Sequence, residues 1–506
     1  MFGKTIFALF VIAAASAAVI SCGCGESGIG DSGISADGNA ATAYQDGTNA
    51  KSNVIKISGK AQNAGIGIDG VKVSAGTLKT TTGNNGYFAL NVPVSSNSKR
   101  VAVFFEKDGY SSNVKVIYSV KAGKAYSIKV NMKSADVYKK INPAVSNTVS
   151  LNDNGNNLIA QVKIPAYSLI DPSGQPVTGS VNIGLTYGDP TKQDGKNIFP
   201  GDYMSVESAG SDIETPIESI VFADITIKDE NGKRIYWIDH ANPCSITLRL
   251  PESLQKAFNT GDSIAWWSLN ENTGVWLRED AAPLTSSADD ARVIDVGGIK
   301  YAQADVMHFS SWNCDQTYTR AYFKVRVLDE KGKPVQDCIV RADGVSYEAV
   351  TTAVTDTEGY AEIFVKGSDS AVTETAKLFA EIAHAKFYYD ITHFSEGEVE
   401  ENELNTPPMQ KTAVLSNIIR VPEMGQINVT VLDMDLKPVS GVDVYSTADQ
   451  VVTTDEKGKA SFNGPENIAV QIFIPRSDIS VNETTVTNAG VPENVTLLYV
   501  PPYDEE

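Results

Sequence analysis

Apolar and polar residues alternate along most of the chain after residue 50, which is the period expected for half-buried β-strands. Runs of this kind, rich in Val, Ile and Thr, occupy for example residues 180–187, 220–228 and 245–250. By contrast, residues 251–259 are expected to form one short helical turn. The pattern predicts an all-β protein made of several antiparallel β-sandwich domains in tandem.

The strand pattern recurs in three copies along the chain. Each copy has an apolar strand, a turn with a second strand, and then a Thr followed by a Gly-containing turn, as at Thr82–Gly86, Thr355–Gly359 and Thr454–Gly458. The glycine supplies the positive φ that such hairpin turns need. Aligning the copies puts Cys338 at an inward-facing position, so we expect it to be a small buried side chain.

These copies resemble the carboxypeptidase regulatory-like, or transthyretin-like, domain. The first copy departs from the usual motif, because Gly83 stands where the domain has Asp. In zinc carboxypeptidases this domain is an accessory to a catalytic domain, and bacteria use it widely as a spacer or binding module. The resemblance therefore implies small antiparallel sandwiches with a spacing or binding role.

The middle region, residues 135–318, differs from the copies because it contains all five tryptophans. Several of its strings resemble, in the right order, the extracellular region of cartilage intermediate layer protein and its relatives, where the region also follows a regulatory-like domain. The strings are Ile164–Ala166, Asp171–Gly179, Phe199–Tyr203, Trp266-Trp267 with Glu271–Trp276, and His308–Asn313. The resemblance implies an extracellular matrix-type or adhesive role, with no catalytic residues to carry over.

A long irregular stretch at residues 189–211 is the expected binding surface of the middle region. Long loops held by a rigid sandwich are where binding usually resides. We therefore predict that Phe199 and Tyr203 are exposed anchors for a ligand. The alternative is that the loop folds back over the sandwich and buries both rings. The tryptophans are expected to pack mainly in the core, because each buries a large apolar area.

The N-terminus has the three parts of a secretory signal, namely Lys4, an apolar run over residues 6–20, and small residues before Cys22. The apolar run is short for a permanent membrane helix, which needs about 20 residues. Val19-Ile20-Ser21-Cys22 resembles the bacterial lipobox, in which the cysteine is lipidated and becomes the new N-terminus. We therefore expect cleavage before Cys22 and lipidation at Cys22; an ordinary cleaved signal is the alternative.

The segment after Cys22 is rich in Gly, Ser, Ala and Asp, so we expect a flexible tether. By resemblance to enterobacterial sorting, Gly23 favours the outer membrane of a Gram-negative bacterium. The expected division of the chain is 1–21 signal peptide, 22–50 lipidated N-terminus and flexible linker, 51–134 first regulatory-like copy, 135–318 larger Trp-containing β-sandwich region, 319–420 second copy and 421–506 third copy.

The net charge of the chain excludes some classes of partner. The net charge is −20 and becomes −21 when Lys4 leaves with the signal, which argues against nucleic acid and anionic lipid as partners. No acidic cluster has the spacing of a metal site, so neither metal nor cofactor is expected; Asp153–Asn157 is better explained as a turn.

Because an exported protein meets an oxidising compartment, Cys244 and Cys314 are predicted to form a disulfide.

One sequence string has a possible chemical role. His308-Phe309-Ser310 matches the triplet of self-cleaving β-sandwich domains, in which Ser attacks the strained peptide before it and His is the base. The same triplet recurs at residues 393–395, so a match by itself is weak. We expect instead that His308 and Trp312 pack on the sheet and that the mature protein remains one polypeptide.

The sequence therefore predicts a non-enzymatic, lipid-anchored envelope protein that serves binding, adhesion or scaffolding through β-sandwich domains. Two alternatives stay open: a self-processing surface protein cut between Phe309 and Ser310, and a glycan-binding lipoprotein. The lipid would attach the protein to a membrane, and the sequence does not identify the protein or glycan ligand. The middle region is expected to carry the specific contact, with the three copies acting mainly as spacers.

Overall fold

The computed structural model describes most of the chain after residue 52. The described residues are 53–95, 98–208, 211, 213–279, 290–367, 374–388, 392–393, 399–400, 409–410, 413–475, 483–486 and 493–499. Their regular structure is almost entirely β-strand, apart from helix α1 (Gln193–Ile198) and a 3-10 turn at Glu252–Leu254. None of these residues belongs to a helix long and apolar enough to cross a membrane. The predicted all-β class is confirmed, and the 3-10 turn lies where a helical turn was predicted.

The strands fall into four groups along the chain. The first copy contains β1 (Val54–Asn63), β2 (Ile66–Gly67), β3 (Lys72–Ala75), β4 (Leu78–Thr81), β5 (Tyr87–Pro93), β6 (Arg100–Glu106), β7 (Asn113–Tyr118) and β8 (Ala125–Asn131). The middle region contains β9 (Val137–Ile141), β10 (Asn147–Asn152), β11 (Leu158–Ile164), β12 (Leu169–Ile170), β13 (Val181–Gly188), β14 (Met204–Val206), β15 (Thr215–Asp229), β16 (Trp237–Ile238), β17 (Cys244–Arg249), β18 (Ser263–Asn270), β19 (Val275–Arg278), β20 (Ala291–Val296), β21 (Ile299–Val306) and β22 (Ser311–Thr317).

The second copy contains β23 (Arg320–Asp329), β24 (Ile339–Gly344), β25 (Val350–Val354), β26 (Tyr360–Lys366), β27 (Thr375–Ile382), β28 (Ala385–Tyr388), β29 (Thr392–His393), β30 (Val399–Glu400), β31 (Met409–Gln410) and β32 (Ala413–Val421). The third copy contains β33 (Met424–Leu432), β34 (Asp443–Ser446), β35 (Gln450–Thr453), β36 (Lys459–Pro465), β37 (Ala469–Phe473), β38 (Glu483–Val486) and β39 (Glu493–Leu498).

Each copy has the same two-sheet topology. Its first strand, β1, β23 or β33, pairs antiparallel with β5, β26 or β36 and parallel with β8, β32 or β39. Its second sheet has the order β4-β3-β6-β7, β25-β24-β27-β28 or β35-β34-β37-β38. The internal repetition of the sequence is therefore a repeated fold.

A buried threonine fixes the same turn in every copy. Its Oγ1 accepts a hydrogen bond from one backbone N–H at 2.8–3.0 Å and donates one to a backbone carbonyl at 2.7–2.8 Å. In the first copy, Thr82 bonds to the N–H of Val71 and the carbonyl of Ile68. In the second copy, Thr355 bonds to the N–H of Cys338 and the carbonyl of Val335. In the third copy, Thr454 bonds to the N–H of Val442 and the carbonyl of Val439. The alignment of Cys338 with valine is thus correct, and Cys338 is a buried free thiol, as predicted.

The glycine turn after this threonine is equally constant. In the second copy, Asp356 accepts hydrogen bonds from two backbone N–H groups of the turn, and Gly359 has φ +78°. A Cβ on Gly359 would lie 2.5 Å from the carbonyl oxygen of Val327, so glycine is required for both φ and space. Gly83 replaces the Asp in the first copy, yet its backbone groups make the same hydrogen bonds across the turn. The first copy therefore keeps the backbone hydrogen bonds of the turn but lacks the two that the Asp side chain accepts in the other copies.

The middle region is built around two cores. The first contains Trp266 and Trp312, whose rings stack with centroids 5.2 Å apart. The second contains Trp267 and Trp276 and continues into the second copy, where it includes residues such as Phe323 and Val340. These four tryptophans are buried, as predicted, whereas Trp237 on β16 is 53% exposed. The second core crosses from the middle region into a copy, and the described residues after residue 52 belong to one compact unit.

Candidate functional site

A cavity of about 630 Å³ lies where the three copies and the middle region meet; we call it the junction cavity. The first copy contributes residues of 115–129, and the middle region contributes Lys196 and residues of 199–203. The second copy contributes residues of 335–354 and 381–384, and the third contributes Met424 and residues of 447–450. Since these stretches are far apart in sequence, only the folded whole assembles the cavity.

Side chains from all three copies form hydrogen bonds in the wall of this cavity. Ser127, on β8, has its Oγ 3.1 Å from Nε2 of His384, and its backbone N–H donates to Oδ1 of Asp449 at 2.5 Å. Nδ1 of His384 lies 3.6 Å from Oε1 of Glu381, while Oε2 of Glu381 accepts a hydrogen bond from Nε of Arg341 at 2.7 Å. We call Ser127, Glu381, His384 and Asp449 the junction cluster.

Tight turns bring two members of the junction cluster into place. Ala383 and His384 form the turn between β27 and β28, with φ values of +50° and +63°. A two-residue hairpin turn with positive φ at both positions usually contains Asn or Gly. Ala383 packs in the apolar core of the third copy, which holds the turn between copies. Asp449, with φ +56°, lies in the turn between β34 and β35.

The junction contacts shift the protonation of two carboxylates in opposite directions. Burial favours the neutral acid of Glu381, but Arg341 and His384 outweigh this effect and lower the pKa of Glu381 to about 2. Loss of hydration around its carboxylate raises the pKa of Asp449 to about 6, and the N–H of Ser127 and nearby His384 oppose that rise. Shifts of this size mark a site that is electrostatically organised.

The order serine, histidine, carboxylate resembles that of a serine hydrolase, but the surroundings do not suit that chemistry. A nucleophilic serine needs free N–H donors for the oxyanion that forms during attack. The N–H of Ser127 is already donated to Asp449, whose carboxylate would repel a second negative charge. Ser127 also lies within β8, which pairs with β1, rather than on a sharp turn. The junction cluster is therefore best explained as a set of bonds that joins the copies.

The prediction of exposed anchors at Phe199 and Tyr203 is wrong. Phe199 is 2% and Tyr203 6% exposed, and their rings stack with centroids 4.2 Å apart. Phe199 also contacts Trp276, at 5.4 Å between centroids. The loop folds back over the sandwich because stacking buries apolar area that an exposed loop would leave in water. The two rings support the floor of the junction cavity instead of reaching a partner.

The residues of the self-cleavage hypothesis lie near one another but have other partners. Nε2 of His308 is 3.1 Å from Oε1 of Glu279, and the His308 ring packs on Trp312 at 4.9 Å between centroids. Oγ of Ser310 donates to the carbonyl of Ser311 at 3.0 Å. Among the described residues no hydrogen bond joins His308 to Ser310. His308 packs as expected, and the single polypeptide remains a prediction.

The structure does not contain the predicted disulfide between Cys244 and Cys314. Both are buried free thiols, on β17 and β22 respectively. The two strands are not paired with each other; β17 pairs with β11 and β21, and β22 with β15 and β18. Burial raises the pKa of Cys244 to about 12, which keeps that thiol protonated. Both cysteines act as small core side chains.

Two further sequence predictions concern the termini and metals. Cys22, the expected lipidation site, lies outside the described residues. Within the part of the chain that the structure describes, no group of three or more His, Cys, Asp or Glu is placed to hold a metal ion. Asp153 accepts hydrogen bonds from the N–H groups of Gly155 and Asn157, so the string from Asp153 to Asn157 is the turn that was predicted.

Sequence reasoning missed the junction cluster altogether. Ser127 and Asp449 are 322 residues apart, and neither belongs to a motif. The one local signal is the dipeptide Ala383-His384 between two strands, where a hairpin turn with positive φ would normally place Asn-Gly. Its strained backbone indicates that the turn is held by contacts outside its own hairpin.

Comparison with known proteins gives one partial similarity. No family model matches the chain. Cartilage intermediate layer protein 1 from Mus musculus is 22% identical over 200 residues, which is 39% of this chain and 16% of that protein. The protein of the same name from Homo sapiens matches with the same identity and coverage. Part of this chain is similar to cartilage intermediate layer protein 1. The chain covers only 16% of the length of these relatives, so their roles do not transfer.

Solved structures give only weak similarities. The shaft pilin SpaA from Lactobacillus rhamnosus GG aligns with 36% of this chain and 99% of its own, at 10% identity and a TM-score of 0.18. A streptococcal ancillary pilin aligns with 49% of this chain and 95% of its own, at 11% identity and a TM-score of 0.17. TM-scores this low do not establish a common fold.

Proposed function

We propose that this protein is a non-enzymatic, lipid-anchored envelope protein that provides a rigid β-sandwich scaffold for binding or adhesion at the cell envelope. The observation that carries the proposal is the packing of three repeated sandwiches and a larger one into one compact unit around a shared cavity. Repeats joined only by linkers would move independently. Repeats locked together present a fixed surface, which is what a scaffold requires.

Direct contacts between copies support this rigidity. The Tyr87 ring of the first copy packs at a tilt on Phe473 of the third, at 4.3 Å between centroids, and its hydroxyl donates to Gln471 at 2.7 Å. Lys121 and Lys124 of the first copy both pair with Asp337 of the second, at 2.6 and 3.2 Å. Exposed ion pairs add little stability by themselves, so the buried aromatic contact is the stronger link.

The anchoring part of the proposal rests on the lipobox-like string that ends at Cys22. Two or three acyl chains hold a protein on a membrane far better than one chain does. The Gly- and Ser-rich segment that follows would keep the scaffold away from the lipid surface. By the same sequence logic, Gly23 favours the outer membrane. The partner bound by the scaffold is then an envelope protein or glycan.

Membrane fractionation tests the anchor. The wild-type protein should sediment with membranes and incorporate a clickable fatty-acid probe, and the Cys22→Ser variant should do neither. The matched control is Cys24→Ser, which changes a neighbouring cysteine and should behave as wild type. Probe incorporation that persists in Cys22→Ser would contradict the proposal.

A chemical probe tests the non-enzymatic part. A fluorophosphonate labels serines that a histidine activates. We expect no labelling of the purified protein, because the backbone N–H of Ser127 is donated to Asp449 and is not free to bind an oxyanion. Labelling that disappears in Ser127→Ala but not in Ser310→Ala would show an enzyme at the junction and overturn this part of the proposal.

Glycan binding is a second candidate, favoured by the exposure of Trp237. Its strand β16 is held by pairing with β12 and by a bridge to His308, so the indole is presented on a fixed backbone. Exposed aromatic faces on rigid frames suit stacking on sugars. Since the other four tryptophans are buried, iodide should quench the fluorescence of Trp237 selectively. A glycan that binds there should prevent quenching in the wild type, and Trp237→Ala should not retain that glycan on an array.

A further inference from the structure

The junction cavity differs in charge from the protein around it. The whole chain has a net charge of −20. The cavity, by contrast, is lined by six basic residues and four acidic ones. The basic residues are Lys115, Lys121, Lys124, Lys129, Lys196 and Arg341. The acidic residues are Asp202, Asp337, Glu381 and Asp449. Although the whole chain is acidic, the wall of this cavity therefore has more basic than acidic residues. An excess of positive charge around a concave site attracts anions.

Most of these basic groups already have carboxylate partners. Lys121 and Lys124 pair with Asp337, Lys196 pairs with Glu348 at 2.7 Å, and Arg341 pairs with Glu381. Lys129 and Lys115 have no ion pair among the described residues; Lys129 is exposed, whereas Lys115 is half-buried. The Nζ of Lys115 contacts the carbonyl oxygen of Phe199 at 3.4 Å, and no carboxylate of the described residues lies within salt-bridge distance.

The nearest acidic side chain on the cavity floor is already engaged elsewhere. Asp202 accepts hydrogen bonds from the hydroxyl of Tyr118 and from the N–H of Tyr203. Burial raises the pKa of Asp202, which weakens its charge as a partner for an amine. Lys115 is thus an ammonium group in a protein-lined cavity whose nearby carboxylate, Asp202, forms no direct ion pair with it. A buried charge without a partner is costly, and an anion entering the cavity would remove that cost.

The rest of the wall is largely apolar. It includes Val116, Ile128, Ile339, Val350, Val354 and Ile382. A volume of about 630 Å³ lies within the range of small-molecule sites, which is roughly 300–1,000 Å³. A mostly apolar wall with one or two well-placed polar groups is the usual design of such sites.

We propose that the junction cavity binds a small organic anion, whose acidic head group is held by Lys115 and whose apolar body packs on the aliphatic wall. The site belongs to no single domain, because it exists only when the three copies and the middle region are assembled. It is independent of the lipid anchor, and it gives the scaffold a chemical ligand that its β-sandwiches do not have individually.

The protonation of Lys115 gives the site a characteristic pH dependence. Burial, helped by repulsion from Arg341 and opposed by attraction to Asp202, lowers the pKa of Lys115 to about 8. The other titratable or charged groups that line the cavity are Lys121, Lys124, Lys129, Lys196, Asp202, Asp337, Arg341, Glu381, His384 and Asp449. Because the anion needs the protonated amine, its affinity should fall as the pH rises from about 7 to about 9.

The test uses the full mature chain carrying Cys22→Ser, and two fluorescent probes. Anilinonaphthalene sulfonate is an organic anion with an apolar body, and N-phenylnaphthylamine is its uncharged counterpart. Lys115→Met should weaken binding of the sulfonate about tenfold, which corresponds to the loss of one charge-assisted hydrogen bond. It should leave binding of the neutral probe unchanged. Lys115→Arg should retain sulfonate binding, and the matched control Lys72→Met changes an exposed lysine of the same copy.

Three outcomes would overturn the proposal. One is the absence of saturable sulfonate binding by the parent protein. Another is a Lys115→Met variant that binds the sulfonate as tightly as the Lys72→Met control. The third is an equal loss of both probes in Lys115→Met, which would indicate a change in cavity shape. Membrane attachment of the same variants in the Cys22 background should be normal in every case, so a failure here is separate from a failure of the anchor.

Discussion

The three copies share the residues that stabilise the fold of each copy, but they differ in the turns through which they contact one another. Every copy has the buried threonine and the glycine turn, with the same threonine and turn-backbone hydrogen bonds in each. The turns that lie near other copies are not the same in the three copies. The turn between β3 and β4 of the first copy is open, with Gly76 and Thr77 exposed, whereas the equivalent turn of the third copy places Asp449 against Ser127. We call the buried threonine and the glycine turn the frame of a copy. The frame is common to all three copies, whereas the turns that contact other copies differ.

The difference separates two kinds of constraint. The threonine and glycine satisfy backbone groups inside one copy, so each copy needs them in order to fold. In the junction cluster, Ser127 of the first copy contacts His384 of the second and Asp449 of the third, so these two contacts are needed only for assembly. Changes to the frame should therefore destabilise folding strongly, and changes to the junction should loosen the copies with a smaller effect.

The largest effect should come from the frame glycine. Gly359→Ala combines a positive φ with a Cβ that would lie 2.5 Å from the carbonyl oxygen of Val327. We expect a loss of about 3 kcal/mol in the free energy of unfolding of the second copy. Gly76→Ala has a similar φ but open space around the Cβ, so it should lose only about 1 kcal/mol. Urea unfolding of the intact chain measures both, and equal losses would contradict the frame argument.

The frame threonine should have the next largest effect. Thr355→Val removes the hydroxyl that serves the N–H of Cys338 and the carbonyl of Val335, and it leaves both groups buried. We expect a loss of about 2 kcal/mol. Thr454→Val should have a similar effect, since the geometry is the same. Thr81→Val, at an exposed position, is the control and should be nearly neutral. A neutral Thr355→Val variant would mean that the shared hydrogen bonds are incidental.

Acid should weaken the junction through Glu381. Its pKa is lowered to about 2 in the folded protein, so the charged carboxylate contributes stability above its ordinary pKa of 4.5. That contribution is lost progressively as the pH falls from about 4.5 towards 2. The wild type should therefore show a loss of stability in this window that is smaller in Glu381→Gln. Parallel acid titrations of the two proteins would refute this role if their curves had the same slope.

The smallest effect should be the coupling between Ser127 and His384. Each alanine variant should destabilise the protein by about 1 kcal/mol, and the double variant by less than the sum, with a coupling energy of about 0.5–1 kcal/mol. Thermal unfolding of the wild type, the two single variants and the double variant gives the free energies for this double-mutant cycle. Additive effects would show that the 3.1 Å contact carries no energy.

The frame was predictable from sequence and the junction was not, for a physical reason. Strand alternation and the Thr and Gly turns are local signals, so the all-β class and the position of Cys338 follow from short stretches. The junction depends on pairs such as Ser127 and Asp449, which no local pattern connects. Loop composition was also misleading. A stretch rich in Gly, Asp and Lys suggested exposure, but Phe199 and Tyr203 gain more from stacking over Trp276 than from facing solvent.

The assembly of the copies into one body is the central claim, and zero-length cross-linking of the unmodified protein tests it most directly. A carbodiimide joins an amine to a carboxylate only when they touch. Cross-links are expected within single molecules between Lys121 and Asp337, which lie 2.6 Å apart, and between Lys56 and Asp443, which lie 2.5 Å apart. Lys140 and Glu230, 2.8 Å apart within the middle region, are the internal control. Recovery of the control cross-link without either link between copies would show that the sandwiches are separate and contradict the account.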